Sequence, residues 1–566
     1  MDFAMEIAAL IAKAADMDKE EVRGFIEVPA NKEMGDFAFP CFRLAKVLRK
    51  APPLIAAELS EKIEKPDFIS EIQVVGAYIN FFTNKTTFVK ETLAKVLEKD
   101  EKYAESNVGQ GKTVVFDYSS PNIAKPFHVG HLRSTVIGNA LYNIYNAIGY
   151  KSVGVNHLGD WGTQFGKLIV AYKKWGDKAT VEKDDIKELS RIYVKFHEEA
   201  EKDNSLNDEA RHWLVKMQEG DKEALDLWKW FVEISMKEFN RIYDRLHIKF
   251  DSYAGESFYN DKMQAVVDEL KEKNLLTESE GAQIVDLEEY NMPPCLILRS
   301  DGGTLYPTRD IAAAFYRKKE YNFCKDIYIT ALDQNLHFAQ WFKVIELMGY
   351  DWAAKELVHV PFGLVSLGDG KLSTRKGHVV LMEDILNAAV EKATAIIEEK
   401  NPDLANKAEV SEQVGIGAVI FDDLYNSRIK NVVFDMDRML SFEGETGPYV
   451  QYSHARACSI LRKAGVTKPE GEIDFSLISD EASVNVCKML SELPDKLVDA
   501  AEKYEPYILT RHIVEICKAF NKFYNENNIM ASEGELKKAR LSVVYAVKTA
   551  VAQSLALLGI AAPEQM

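Results

Sequence analysis

Residues 113–155 read TVVFDYSSPNIAKPFHVGHLRSTVIGNALYNIYNAIGYKSVGV. The opening run, entered through the glycine-marked GQGK at 109–112, is apolar and β-branched, which predicts a buried strand. LRSTVIGNALYNIYNAIG (132–149) is predicted to be an amphipathic helix with Gly149 as its C-cap. KSVGVNHLGDWG (151–162) supplies the next strand and turn. Strand, loop, helix and strand in that order make a right-handed βαβ unit, and ligands of such units bind outside the carboxyl ends of the strands. The loop between the first strand and the helix carries Lys125, His128, Gly130 and His131. Its crowded polar groups therefore stand where a ligand is expected.

Outward from this unit the pattern changes three times. Residues 1–108 open with helical segments and turn strand-like in EIQVVGAYINFFTN, around Gly76, which predicts a small α+β domain. Residues 109–390 carry the βαβ unit, then an almost purely helical, charge-rich insertion at about 161–247. Strand-like runs follow in PCLILRSDGGTLYPTRD, with a hairpin turn at 301–303, in KDIYIT and in ELVHVPFGLVSL, so the sheet is expected to be built from two halves. Residues 391–566 are read as helical throughout, a third and all-α domain. The expected fold class is α/β: a Rossmann-type nucleotide-binding domain with a helical insertion, flanked by the α+β and all-α domains.

The 566 residues are too many for one core, and 47% hydrophobic content suits folded domains. The six cysteines lie far apart with no CxxC pair, which argues against a zinc ribbon or disulfide framework and for a reducing, cytoplasmic setting. The N-terminus has helical periodicity and early acids, unlike a basic signal segment. VVYAVKTAVAQSLALLGIAA, near the C-terminus, approaches membrane length but is interrupted by Lys548, Thr549 and Gln553, so a buried helix is expected and no membrane contact. A formal charge of −18 argues against bulk-charge binding of nucleic acid and leaves room for a local basic face.

Neither GxxxxGK[ST] nor GxGxxG occurs. Phosphate chemistry would need another device, and the 121–131 loop offers one. His128 and His131 fall three apart on the first turn of a helix whose N-terminus favours anions, and Gly130 admits a ligand close to the backbone. Imidazole donors and Lys125 can then meet phosphate charge as it develops. From spacing alone, two alternatives stay open: incidental residues at a helix start, or a metal site completed by His157 or Asp160. A second basic, glycine-bounded loop, GDGKLSTRKG (368–377), carries Lys371, Arg375 and Lys376. One such run is commonly a solvated loop; two, each following an apolar strand, suit a shared polyphosphate.

The chain resembles the class I arginyl-tRNA synthetases. HVGH is similar to the family's HIGH signature and KLSTRKG to its degenerate KMSKS-type loop. SSPNIAKPFHVGHLRSTVIGNAL, NHLGDWGTQFG, LYPTRDIAA, SFEGETGPYVQYSHAR and LLGIAAPEQM resemble the same family in the same order. One departure stands out. The lysine that usually follows the serine of the second loop is Thr374 here, and family members lacking it tend to carry a lysine just before HIGH, where Lys125 stands.

By residue, the resemblance implies ATP contacts from His128, Gly130, His131, Lys371 and Ser373, with Lys125 and Lys371 near the phosphates. Arginine would be held by Asn122 and Gln334 at its α-amino end and by Glu256, Tyr306 and Asp310 at its guanidinium, with His128 also in contact. Tyr78 and Asn80 would hold an unpaired nucleotide, and Tyr449 and Met566, with Tyr452 and His454 nearby, would line an anticodon pocket. The implied activity is ATP-dependent joining of L-arginine to tRNA(Arg) through arginyl-adenylate, with transfer to the 2′-hydroxyl of the terminal adenosine. Magnesium would accompany ATP, and no structural metal, editing domain or second subunit is expected: the chain is read as a cytoplasmic monomer. A synthetase for another amino acid would lack the Glu256, Tyr306 and Asp310 set. A binding-only paralogue would find its sole support in Thr374.

Overall fold

The computed structural model describes residues 3–29, 31–300, 302–367 and 380–566. They fall into two compact units, each built from distant parts of the chain.

One unit comprises residues 1–103, 453–493 and 515–551. Its antiparallel sheet runs in the order Phe37–Pro40, Tyr78–Thr83, Ile69–Val75. The last two strands form a hairpin within the strand-like run, with Val75 opposite Tyr78 and the turn at Gly76. The helix Phe3–Ala15 buries Ile7, Ala8 and Ile11, and its Phe3 packs against Phe68 and Phe88. The apolar stretch near the C-terminus lies in the helix Gly534–Leu557, where Val543, Val544, Val547 and Val551 are fully buried. No helix among the described residues is long and apolar enough to cross a membrane.

The other unit comprises residues 104–452, 494–514 and 552–566. Its centre is a four-stranded, all-parallel sheet in the order Leu357–His359, Lys325–Tyr328, Thr113–Asp117, Lys151–Val155. The chain leaves Thr113–Asp117 in one direction to build Lys151–Val155 and later builds the other two strands on its opposite side. The crevice between Thr113–Asp117 and Lys325–Tyr328 is thus the topological switch point, where such sheets bind ligands. The insertion folds as four helices, Thr163–Trp175, Lys178–Ala200, Ser205–Gln218 and Lys222–Arg245.

Three expectations need correction. Cys295–Leu298 does not join the parallel sheet; it forms a separate antiparallel sheet with Thr277–Ser279 and Ala282–Val285. The helix Leu132–Ala147 is not amphipathic in use. Arg133, Ser134, Thr135 and Asn139 are buried along with its apolar residues, because the polar groups bond inside the fold. The region beyond 391 is not wholly helical, since Val432–Phe434 pairs in parallel with Val365–Leu367.

Candidate active site

A cavity of about 620 Å³ opens at the switch point, within the size range of small-molecule sites. Asn122, Gly130, His131, Glu256, Tyr306, Asp310 and Gln334, read from four separate stretches of sequence, all line it. His128 stands beside it on the same turn as Gly130 and His131. Lys125 is exposed and borders a separate small pocket with Gln164 and Tyr193. Lys371, Ser373 and Thr374 lie outside the described residues.

The two histidines cap their own helix. A single 3-10 turn, Val129–His131, leads into Leu132–Ala147. Nδ1 of His128 accepts the N–H of Gly130 at 3.0 Å, and Nδ1 of His131 accepts the N–H of His128 at 3.2 Å. The rings stack with centroids 3.9 Å apart. Because each Nδ1 is an acceptor, the neutral imidazoles carry their protons on Nε2, as donors. Burial, then His128 and Lys125, push the His131 pKa down to about 3, and burial followed by Lys125 lowers that of His128. Both rings are therefore neutral donors near neutral pH.

The loop leading to them is strained. Ser119, Ser120 and Ala124 have φ of +70°, +45° and +61°, a region that residues with a Cβ enter at a cost of order 1–3 kcal/mol each. Surrounding bonds hold them there. Ser119 donates its N–H to Ser134 Oγ at 2.9 Å, and its hydroxyl lies 2.7 Å from that of Tyr243. Ser120 Oγ donates to Asp117 at 2.9 Å, and the Ala124 N–H donates to Ser235 Oγ at 3.0 Å. Within this loop Asn122 pairs directly with residue 159. Ile123 donates to the carbonyl of Gly159 and Gly159 to that of Pro121, both at 3.1 Å. A Cβ at position 159 would fall 2.1 Å from Asn122 Oδ1. Gly159→Ala is expected to displace Asn122, which a structure of that variant checks.

Acid groups gather on another wall. The helix Tyr306–Tyr321 begins with Tyr306, 65% exposed, and presents Arg309 and Asp310 on its next turn. Arg309 Nη1 lies 3.3 Å from Glu256 Oε2, and His337 Nε2 lies 2.6 Å from Asp310 Oδ2. Burial raises the Glu256 pKa to about 7, with Arg309 opposing and Asp310 adding to the rise. Beneath them Arg317 is fully buried, 2.7 Å from Asp117 and 3.7 Å from Asp326, over the ring of Tyr328. Asp117 and Asp326 are thereby matched with a resident cation. Glu256 and Asp310 have their own neighbours, Arg309 and His337, and both carboxylates line the open cavity.

The metal alternative finds no geometry. The Asp160 carboxylate accepts from the Ser257 N–H at 2.7 Å and its hydroxyl at 2.6 Å, while the His157 ring packs against Tyr259. Among the described residues no three His, Cys, Asp or Glu side chains group to hold an ion.

The residues singled out for RNA lie elsewhere in the chain. Tyr78 is half-buried, edge-on at 5.6 Å to Phe42, which is 55% exposed. Asn80 is 1% exposed, and neither amide atom has a hydrogen-bond partner among the described residues. Tyr449 is half-buried near the start of the helix Gly447–Lys463. Two residues on, Gln451 donates to the carbonyls of Ala561 at 2.8 Å and Gln413 at 3.1 Å, which fastens the C-terminal tail here. The Met566 carbonyl accepts from Asn401 at 3.1 Å. Tyr452 is 39% exposed, and His454 is buried.

Sequence reasoning passed over Arg133, Arg309, Arg317 and His337. Each meets an acidic partner 27 or more positions away, and no local pattern announces such pairs. The strained serines could have been found, since two serines before a proline at a strand end favour a turn.

The chain matches known families along its length. Residues 92–436 match the family described as tRNA synthetases class I (R), catalytic domain. Residues 2–83 match the arginyl tRNA synthetase N terminal domain, and 450–566 the DALR anticodon binding domain. Proteins named arginine–tRNA ligase from Alkaliphilus metalliredigens and Clostridioides difficile are each 56% identical over 566 residues, covering 100% of both chains. The solved arginyl-tRNA synthetase of Thermus thermophilus superposes with a TM-score of 0.85 at 27% identity, covering 99% of each chain. The chain belongs to the class I arginyl-tRNA synthetase family.

Proposed function

We propose that this chain joins L-arginine to tRNA(Arg) in two steps at the switch-point cavity, and that its Glu256–Asp310 wall receives the guanidinium while the histidine turn receives ATP. The observation that carries this is the meeting, in one cavity, of two carboxylates, Glu256 and Asp310, with His131, whose Nδ1 is engaged as an acceptor so that a neutral Nε2–H donor is left. A guanidinium buried without carboxylate partners would be costly, so the acid wall selects arginine over uncharged analogues. Asn122 and Gln334 are assigned the α-amino end, and Tyr306 closes the mouth over the side chain.

In the first step an oxygen of the arginine carboxylate bonds to the α-phosphorus of ATP, supplied as its magnesium complex. The bond to the bridging oxygen breaks and pyrophosphate leaves. His128 and His131 donate to phosphate oxygens as charge shifts onto them, and the helix N-terminus behind Gly130 adds its dipole. Lys371 and Ser373 are assigned to the same phosphates through the loop they belong to. In the second step the 2′-hydroxyl of the terminal adenosine attacks the arginyl carbonyl and AMP departs. Positioning and electrostatics supply the catalysis, with no covalent enzyme intermediate.

Lys125 is assigned the charge missing at Thr374. Its charge helps to lower the pKa of both histidines, which supports a role at their end of the cavity. Lys125→Ala is expected to slow arginine activation at least about 10-fold, the effect of losing an electrostatic contact made in the transition state, while arginine binding stays within about twofold. Equal loss of both would remove the compensation.

The flanking regions are assigned to RNA: 1–108 to tRNA contact through Tyr78, and 391–566 to the anticodon through Tyr449 and Met566. The Tyr78–Phe42 pair offers ring faces and edges suited to stacking an unpaired base. Asn80 would contact RNA only after its covering side chains move. The chain is assigned to the cytoplasm, acting as a monomer. Arginine-dependent exchange of pyrophosphate into ATP, measured with and without tRNA(Arg), tests the assignment. Exchange is expected with arginine and not with citrulline or lysine; its absence under both conditions would rule the assignment out.

A further inference from the structure

One buried guanidinium ties the histidine turn to the cavity wall formed by residues 363–365. Arg133, two residues after His131, is 0% exposed. Its Nη1 donates to the carbonyl of Gly363 at 3.0 Å and to that of Lys430 at 2.5 Å. Its Nε lies 2.9 Å from Oδ1 of Asp423, on the helix Lys407–Leu424. The three acceptors belong to three separate stretches, two of which are zipped together. Gly363 donates to Arg428 at 2.8 Å, Leu364 to Asn431 Oδ1 at 2.8 Å, and Val432 to Leu364 at 3.0 Å. A Cβ at 363 would stand 2.7 Å from the Lys430 carbonyl, so a side chain there would push the two stretches apart. Gly363, Leu364 and Val365 line the cavity, as do Gly130, His131 and Arg133 itself.

We infer that Arg133 is a positioning residue for activation: held by Asp423, it sets the separation between the histidine turn and the Gly363–Val365 wall, and so the width of the ATP end of the cavity. This rests on the assignment of ATP to the histidine turn. A planar guanidinium can meet two carbonyls and a carboxylate at once, whereas an ammonium on a flexible stem cannot hold all three in a fixed relation. Stability alone gives little reason for the pair, because well-packed apolar residues often replace a buried ion pair at no cost. Position does give a reason, since Arg133 is attached two residues from the turn whose place matters.

The full-length chain provides the test, with thermal unfolding, calorimetric titration of ATP and arginine, and pyrophosphate exchange measured on each variant. Arg133→Met alone leaves Asp423 buried without its cation and is expected to lower the unfolding midpoint. Arg133→Met combined with Asp423→Leu removes both charges and is expected to recover most of that loss. In this double variant, and in Arg133→Lys, ATP binding is expected to stay weakened by about 10-fold or more while arginine binding stays within about twofold. Recovery of ATP affinity together with stability, or equal weakening toward both ligands, would overturn the inference. ATP titration needs no turnover, so it decides the role of Arg133 even if parent exchange fails, a result that would count against the functional assignment alone.

Discussion

Replacing His131 with alanine is expected to slow arginine-dependent pyrophosphate exchange by about 100- to 1000-fold, the usual effect of removing one preorganised donor from a developing oxyanion. Two losses coincide. The Nε2–H that faces the cavity disappears, and so does the Nδ1 that accepts the His128 N–H at 3.2 Å. The second loss frees the neighbouring stacked ring, so His128 is displaced as well. The effect should fall on kcat more than on the KM for arginine, because the acid wall is untouched. Acidification offers a control on the mechanism. With the His131 pKa held at about 3, the ring stays neutral as pH falls from 8 to 5, so any loss of activity across that range must come from another group.

Under the proposed assignment Glu256 is that group, and Glu256→Gln is expected to raise the KM for arginine by about 100-fold or more, in line with truncating one partner of a buried charge pair. In the empty cavity burial holds its pKa at about 7. An incoming guanidinium favours the carboxylate form, so binding below pH 7 must expel a proton. Arginine affinity is therefore expected to rise up to about tenfold per pH unit from pH 5 to 7 and to level off above that. Glu256→Gln should lose this dependence along with the affinity. Titrations in buffers of different ionisation heat would show the released proton directly. Arg309, 3.3 Å away, shares the carboxylate before arginine arrives, so the empty site is charge-matched rather than open to any cation.

The central strand, the histidine loop and the helical insertion were legible because their signals are local: apolar β-branched runs, helical periodicity, prolines and glycines at turns. The family motifs supplied the acid wall, which no local pattern would have gathered. Errors arose where a local signal has two physical readings. Arg133, Ser134 and Thr135 look like the solvent face of an amphipathic helix, yet each is buried and bonded. Four apolar residues at Cys295–Leu298 say strand without saying which sheet, and three at Val432–Phe434 are too few to interrupt a helical pattern. Three of the ion pairs that shape the cavity, Arg317 with Asp117, Arg309 with Glu256 and Arg133 with Asp423, join residues 200, 53 and 290 positions apart. Only the fold brings them together.

The most direct measurement is a structure of this chain with arginine and a non-hydrolysable ATP analogue bound. The guanidinium nitrogens are expected at about 2.7–3.2 Å from the carboxylates of Glu256 and Asp310, with the α-amino group at Asn122 and the triphosphate against His128 and His131. A guanidinium paired elsewhere, with Glu256 still held by Arg309 alone, or a triphosphate away from the histidine turn, would contradict the account.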